Sequence, residues 1–289
     1  MNADLGSPLR DEQIETFWAD GVVCLRGVLA PEWITRLQAA VEDVLAARDG
    51  TDLSAMAQQI DAGGGAVLRD TAPSAARRGR FFAGTDHWRR HATFRDFALL
   101  SPLPALVAGL LRSRRVALYE DSLLVKEPGT LERTAFHQDM AYFHVGGTQV
   151  CTTWCPLDLV SAETGAVKYV RSSHRWAQDF QPNLFVSTTA IPGTLGDTVP
   201  DVESDPRRYE LLSFDTAPGD VVVHHARTIH GAPGNASSTR RRRAVSVRYC
   251  GDDVRFHRRP GAPLKAWQER ATEGAPLDPA ESPLAYEAR

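Results

Sequence analysis

The chain has 289 residues, 43% hydrophobic and 24% charged. That is a globular composition with enough apolar residues for a sizeable core, and it excludes the disordered and fibrous classes. Lys+Arg 33 against Asp+Glu 36 leaves a net charge of −3, which carries no bulk signal for nucleic acid or an acidic membrane. No apolar run approaches the ~18 residues of a membrane span, and the opening "MNADLGSPLRDEQIE" lacks the apolar core of a signal peptide. The four cysteines (Cys24, Cys151, Cys155, Cys250) have no C-x-x-C spacing, as suits a reducing compartment. These features predict a cytoplasmic protein with neither a nucleic-acid nor a membrane partner, monomeric or homodimeric.

"SPLRDEQIETFWADG" reads as a first helix, with Ser7 as cap, Pro8 in the first turn and Gly21 as stop. A short strand over 22–29 follows. "APEWITRLQAAVEDVLAARDG" repeats apolar residues at helical spacing (Ile34, Leu37, Ala40, Val41, Val44, Leu45) and is expected to end at Gly50. Residues 51–80, with Gly63, Gly64 and Gly65, read as a long mobile excursion. "ATFRDFALLSPLPALVAGLLRS" is helical again, broken around Pro102 and Pro104. From Val116 short β-rich runs alternate with Gly, Pro and Asp turns, the pattern of a sandwich or jelly roll. Residues 181–206 form a long insertion without helical period, a candidate lid. The expected fold is mainly β with α: a double-stranded β-helix (jelly roll, cupin-like) with a helical N-terminal shoulder. As one domain, 1–289, it divides into a shoulder over 1–115, a roll over 116–260 and a surface-wrapping tail over 261–289.

"TAFHQDMAYFH" places His137 and Asp139 two residues apart. On one strand, residues i and i+2 share a face, so the two side chains can hold one ion. Alone, such a pair is more often solvated polarity. A redox-active ferrous site needs two histidines and one carboxylate on one face of the metal. His230, in "PGDVVVHHARTIHGAPGN", is the best third member: it lies 230 − 137 = 93 residues on, room for several intervening strands. His224 and His225 compete for the role. In "TRRRRAVSVRY", strand alternation puts Arg240, Arg242, Ala244 and Ser246 on one face and Arg241, Arg243, Val245 and Val247 on the other. If the first face lines the roll, Arg242 points inward and its guanidinium can fork a dicarboxylate.

With these residues in hand, the chain resembles the phytanoyl-CoA dioxygenase family of iron(II)- and 2-oxoglutarate-dependent oxygenases. The likeness rests on "DEQIETFWADGVVCLRGVLAPEWITRL", "LLVKEPG…FHQD", "TTWCPLDLVSAETGAVKYVRSSHR" and "PGDVVVHHARTIHGAPGN…RRRRA". It implies Fe(II), 2-oxoglutarate as cosubstrate and O2, with His137, Asp139 and His230 as iron ligands. It also implies Arg242 on the far carboxylate of 2-oxoglutarate, with Arg241 as rival, and Trp154 packed beside the cosubstrate. Gln138, Ser122, Leu124 and Lys126 are further lining candidates. Related halogenases carry a small residue in place of the carboxylate, so Asp139 argues against halogenation.

The expected reaction is oxidation of a substrate C–H bond, hydroxylation by default, with desaturation, epimerisation or cyclisation as alternatives. Tyr142, Phe143, His144 and Arg171 are expected to line the substrate pocket, and residues 78–88 and 181–206 to cover it. An aromatic rim suggests a mid-sized, partly apolar small molecule such as a natural-product intermediate. A non-catalytic metal-dependent binding module and a zinc hydrolase remain as alternative classes.

Overall fold

The computed structural model describes residues 9–71 and 78–288; the expected cap Ser7 and Pro8 fall outside them. Five helices, α1 (Asp11–Asp20), α2 (Pro31–Ala47), α3 (Leu53–Ala62), α4 (Ala92–Leu100) and α5 (Leu103–Leu111), occupy the N-terminal part with three strands, β1 (Val22–Leu25), β2 (Thr51–Asp52) and β3 (Phe81–Thr85). The strands β4 (Arg115–Lys126), β5 (Thr134–His137), β6 (Val145–Gly146), β7 (Val150–Pro156), β8 (Lys168–Val170), β9 (Leu211–Ser213), β10 (Val221–His225), β11 (His230–Ala232), β12 (Arg242–Cys250), β13 (Arg255–Phe256) and β14 (Leu284–Glu287) follow.

They form a jelly roll. The major antiparallel sheet runs β1-β10-β7-β12-β4-β3-β2, with β14 also on β4, and faces a smaller sheet β5-β11-β8-β9. Strand alternation gives the major sheet two chemically distinct faces. Outward go Leu123, Val125, Val221, Val223, Val245 and Val247, which join Phe17, Leu37, Val41, Phe94, Phe97, Leu103 and Leu110 of the helices in the main apolar core. Each such side chain contributes roughly 1.5–3 kcal/mol when fully buried. Inward, toward the smaller sheet, go the intervening residues: Ser122 and Leu124, Thr152 and Trp154, His224, and Arg242, Ser246 and Arg248. The core on one face therefore holds a polar row rigidly on the other.

Helix α1 stops at Gly21, whose φ of 81° is left-handed and whose missing Cβ leaves room for the His174 ring. Helix α2 closes earlier than its glycine suggested, with Arg48 in the left-handed conformation. The stretch 51–80 is not one long excursion. Asp52 accepts hydrogen bonds from the Ser54 and Ala55 amides and caps α3, which buries Leu53 and Ala57 against Phe81 and Val186. Residues 78–88 do not roof the site either, because β3 pairs with β4 and extends the major sheet. No single described helix is long and apolar enough to cross a membrane; the bent pair α4 and α5 passes by composition, and its apolar residues lie in the main core.

His225 alternates away from the interior. It is buried, bonded to the Thr148 carbonyl and the Arg227 amide, and burial pushes its pKa down from 6.5 to about 4. A depressed histidine means the unfolded chain binds the extra proton first, so stability is intact above about 6.5 and drains as pH falls toward 4. Urea melts between pH 7 and pH 4 should therefore lose stability on acidification, by up to ~3 kcal/mol from this group. The slope should flatten in His225→Gln. An unchanged slope in that variant would remove His225 from the explanation.

Candidate metal centre

His137 is the last residue of β5, and Asp139 opens a 3-10 turn (Asp139–Tyr142) rather than continuing the strand. Gln138 between them is still extended (φ −103°, ψ 133°), so His137 and Asp139 point to one face as strand alternation predicts, and the turn begins only at Asp139. His230 begins β11 on the smaller sheet, directly opposite His137 in the ladder. It follows β10 in sequence but stands on a separate strand. The two rings lie 4.3 Å apart between centroids. Each histidine bonds through Nδ1 to a backbone carbonyl two residues back, His137 to Ala135 at 2.8 Å and His230 to Thr228 at 2.9 Å. Donation from Nδ1 leaves both Nε2 lone pairs free for an ion. The Nε2 atoms lie 3.6 and 3.8 Å from Asp139 Oδ1. These three residues are the His/Asp set among the described residues whose ligand atoms all fall within 4.8 Å of one another.

The second oxygen of Asp139 is held by the major sheet. Across β10, β7 and β12, His224, Thr152 and Arg248 stand in one register row. Thr152 donates to Oδ2 at 2.5 Å, His224 Nε2 lies at 3.3 Å and Arg248 Nε at 4.0 Å. Oδ2 is therefore engaged from behind while Oδ1 faces the histidines, which favours a single-oxygen ligand. Burial opposes charge on Asp139, but its contacts with His137 and His224, with the nearby His230 and Arg248, hold it well below the usual carboxylate range. His230 is pushed well down, chiefly by burial.

The cavity beside this set is lined by Leu124, Trp154, Tyr169, Phe185, Arg242 and Ser246 as well as the ligands, and encloses about 40 Å³. Arg242 is the largest fully buried side chain, 1% exposed. It has no carboxylate partner among the described residues, its Nε is without a hydrogen bond, and its Cζ lies 5.8 Å from the Trp154 ring. Burial lowers its pKa to about 10. Arg241, the rival, points the other way and is paired with Glu42 and Glu127. Around the same cavity the Trp154 Nε1, Tyr169 hydroxyl and His224 Nδ1 atoms are also buried without hydrogen bonds. Natural interiors satisfy nearly all such groups, so their convergence on one cavity marks a polar ligand. A buried forked cation, an aromatic wall and a His/Asp/His set fit a dicarboxylate chelating a metal.

Other expected site residues fall elsewhere. Gln138 alternates outward and donates to the Arg227 carbonyl at 2.6 Å. Ser122 is on the inward face but supports Arg248, accepting from its Nη1 at 2.6 Å. Lys126 is level with Arg242 in the ladder, yet its ammonium reaches past the cavity to the Pro233 carbonyl at 2.6 Å, over the Phe81 ring. Leu124 does line the cavity. Tyr142 sets its ring edge-on to His137 at 5.6 Å and bonds Asn183 through its hydroxyl. Phe143 instead packs with Tyr119 and Met140 in a small apolar cluster. His144 is engaged by the C-terminal tail, bonded to the Pro263 carbonyl and the Arg259 amide. Arg171 is at the surface, paired with Asp20 and Glu210. Thr152, Arg248, Tyr169 and Phe185 join the site without having been singled out by sequence pattern. Phe185, in the 181–206 insertion, lies 5.2 Å from the His137 ring with a left-handed φ of 64°, a backbone strain that surrounding packing must hold.

The profile of the phytanoyl-CoA dioxygenase family (PhyH) matches residues 17–244. The chain belongs to that family. The His137, Asp139 and His230 set and the cavity beside it are of a kind that fits Fe(II) and 2-oxoglutarate. A protein of Stutzerimonas stutzeri described as a probable alpha-ketoglutarate-dependent hypophosphite dioxygenase is 30% identical over 151 residues. That match covers 51% of either protein, so the chain spans about half the length of this curated relative. Among solved structures, the alpha-ketoglutarate-dependent carbocyclase SnoK from nogalamycin biosynthesis shares the fold with a TM-score of 0.70 and 23% identity, over 96% of both chains. The epimerase SnoN in complex with Fe3+, alpha ketoglutarate and nogalamycin RO has a TM-score of 0.68 and 21% identity, over 95% of this chain and 98% of its own. EctD from S. alaskensis with 2-oxoglutarate and 5-hydroxyectoine has a TM-score of 0.65 and 18% identity, over 100% of this chain and 90% of its own.

Removing the hydroxyl behind Asp139 tests the carboxylate cradle. Thr152→Val keeps the shape of the side chain but leaves Oδ2 without its shortest bond, and should weaken metal binding about 10- to 100-fold, as loss of a partner behind a ligand typically does. Calorimetric titration with Mn(II) reads this directly. Wild-type affinity in the variant would show that the threonine does not position the ligand.

Proposed function

We propose that the chain is one oxygenase domain that oxidises a C–H bond of a mid-sized, partly apolar small molecule, hydroxylation being the default outcome. The observation that carries this is Arg242: a fully buried guanidinium with no carboxylate partner among the described residues, in the same cavity as His137, Asp139 and His230. A metal-dependent binding module or a zinc hydrolase has no use for such a destabilising group, because an ion out of water without a partner loses several kcal/mol. A 2-oxoglutarate-dependent oxygenase does.

In this reading His137, Asp139 and His230 hold the iron, Arg242 forks the far carboxylate of 2-oxoglutarate, and Trp154 walls the cosubstrate. When bound, the metal and cosubstrate supply activation of dioxygen, with oxidative decarboxylation of 2-oxoglutarate to succinate. The residues of the chain set access and orientation. Thr152, His224 and Arg248 keep Asp139 ionised and turned toward the histidines. Leu124 and Phe185 give the cavity an apolar rim, and Tyr142, latched to Asn183, fixes the insertion that carries Phe185 over the His137 ring. We read this insertion as the cover that keeps bulk water from the centre.

The carbocyclase and the epimerase among the structural neighbours favour keeping cyclisation and epimerisation as alternative outcomes of the same site. The curated relative is named for a small inorganic oxyanion; the aromatic surroundings here favour an organic substrate.

Purified protein with Fe(II), ascorbate and 2-oxoglutarate should form succinate slowly without substrate and faster with it, while Zn(II)-loaded protein should form none. His137→Ala and Asp139→Ala should each abolish this by three orders of magnitude or more. Normal succinate production in either variant would sink the assignment.

A further inference from the structure

A second cavity lies outside the roll, between the insertion and the C-terminal tail. It encloses about 320 Å³ and is lined by Ala141, Phe180, Pro182, Leu195, His257 and Arg259, among others, a volume at the lower end of ordinary small-molecule sites. Ala141 belongs to the turn that begins with Asp139, so one wall of this cavity backs onto the metal centre. The tail and insertion meet at one side of it through two glycines: a Cβ on Gly261 would fall 2.0 Å from the Gly193 carbonyl oxygen. Only a bare backbone permits that approach, so the closure is built in.

The charged groups around the cavity are unequal. Asp179 is paired with Arg227 at 2.7 Å, and His257 with Glu273 at 2.7 Å. Arg259 has no carboxylate partner among the described residues. Its Nε donates to the Phe143 carbonyl at 2.8 Å and its Nη2 to the Val145 carbonyl at 3.3 Å, which locks the side chain and leaves Nη1 uncommitted. Burial, with Arg227 nearby, lowers its pKa, while Asp179 acts in the opposite sense. A half-buried cation, fixed by backbone carbonyls and facing a cavity of ligand size, is preorganised for an anion.

We propose that this cavity is a substrate subsite that takes an organic molecule through an anionic group, carboxylate or phosphate, held by the Arg259 guanidinium. Its role in catalysis rests on the oxygenase reading; the anion site itself does not. Phe180 and Pro182 supply apolar contact for the body of the molecule, and Ala141 sets the end nearest the metal turn.

The test uses the full chain loaded with Mn(II) and saturating 2-oxoglutarate, which fills the Arg242 end, and phenyl phosphate as probe, followed by ligand-detected NMR. Phenyl phosphate should bind, with its ring protons broadened by the nearby Mn(II), whereas neutral benzyl alcohol should not. Arg259→Gln should weaken the probe at least tenfold, Arg259→Lys should restore part of the affinity, and both should keep wild-type 2-oxoglutarate binding. Ala262→Phe, which narrows the cavity from the tail and leaves Arg259 in place, should also exclude the probe. Equal binding in Arg259→Gln, equal binding of benzyl alcohol, or binding without Mn(II) broadening would each overturn the proposal. Failure of wild-type protein to bind 2-oxoglutarate counts against the oxygenase reading instead, and the comparison of Arg259 variants still decides the subsite.

Discussion

The structure turns on one guanidinium taken out of water with no carboxylate among the described residues to meet it. Arg242 is surrounded by Trp154, Tyr169 and the inward face of the major sheet, and burial drags its pKa to about 10. An isolated buried ion is among the most destabilising things a fold can contain. It is tolerated because the valines and leucines on the opposite face of the same strands anchor them in the main apolar core. Val245 and Val247, neighbours of Arg242 along β12, sit in the core beneath the helices, so β12 cannot slip by one residue to release the arginine without exposing that core. The register that buries the valines aims the arginine.

The same register logic assembles the carboxylate side of the centre. Thr152, His224 and Arg248 belong to three different strands and meet only because their ladders align. They hold one oxygen of Asp139 and leave the other to the two histidines. The histidines come from the smaller sheet, and each fixes its own ring through a carbonyl two residues earlier. Metal geometry is thus divided between the two sheets, and the separation between them, rather than any single loop, sets it.

Much of this is legible in the amino-acid sequence. The helices appear because their apolar residues recur at 3.6 spacing, and the roll because short strands alternate with turn residues. His137 with Asp139, and Arg242 over Arg241, can be singled out because inward and outward residues alternate along a strand, whereas His230 is chosen by its separation from the pair and the motif around it. Alternation carries through the extended Gln138 to Asp139, but the 3-10 turn that starts there has no signature in the local pattern. Helix α3 is hidden by its small residues and flanking glycines; its start depends on Asp52 acting as a cap. Phe143, His144 and Arg171 do not line the site because their partners, Tyr119, Pro263 and Asp20, are more than 20 residues away in sequence and invisible to local pattern. Thr152 and Arg248 have no local signature at all, because their meaning comes from which residue lies across the ladder.

The most direct measurement of the central claim is anaerobic titration of 2-oxoglutarate into the Fe(II)-loaded protein, followed by the weak visible charge-transfer band of the chelate. Wild-type protein and Arg241→Gln should show the band with similar affinity. Arg242→Gln should need at least a hundredfold more 2-oxoglutarate, consistent with losing a buried charge-assisted pair worth ~3 kcal/mol or more. An Arg242→Gln titration that overlays the wild type, or a loss confined to Arg241→Gln, would contradict the role assigned to the buried guanidinium.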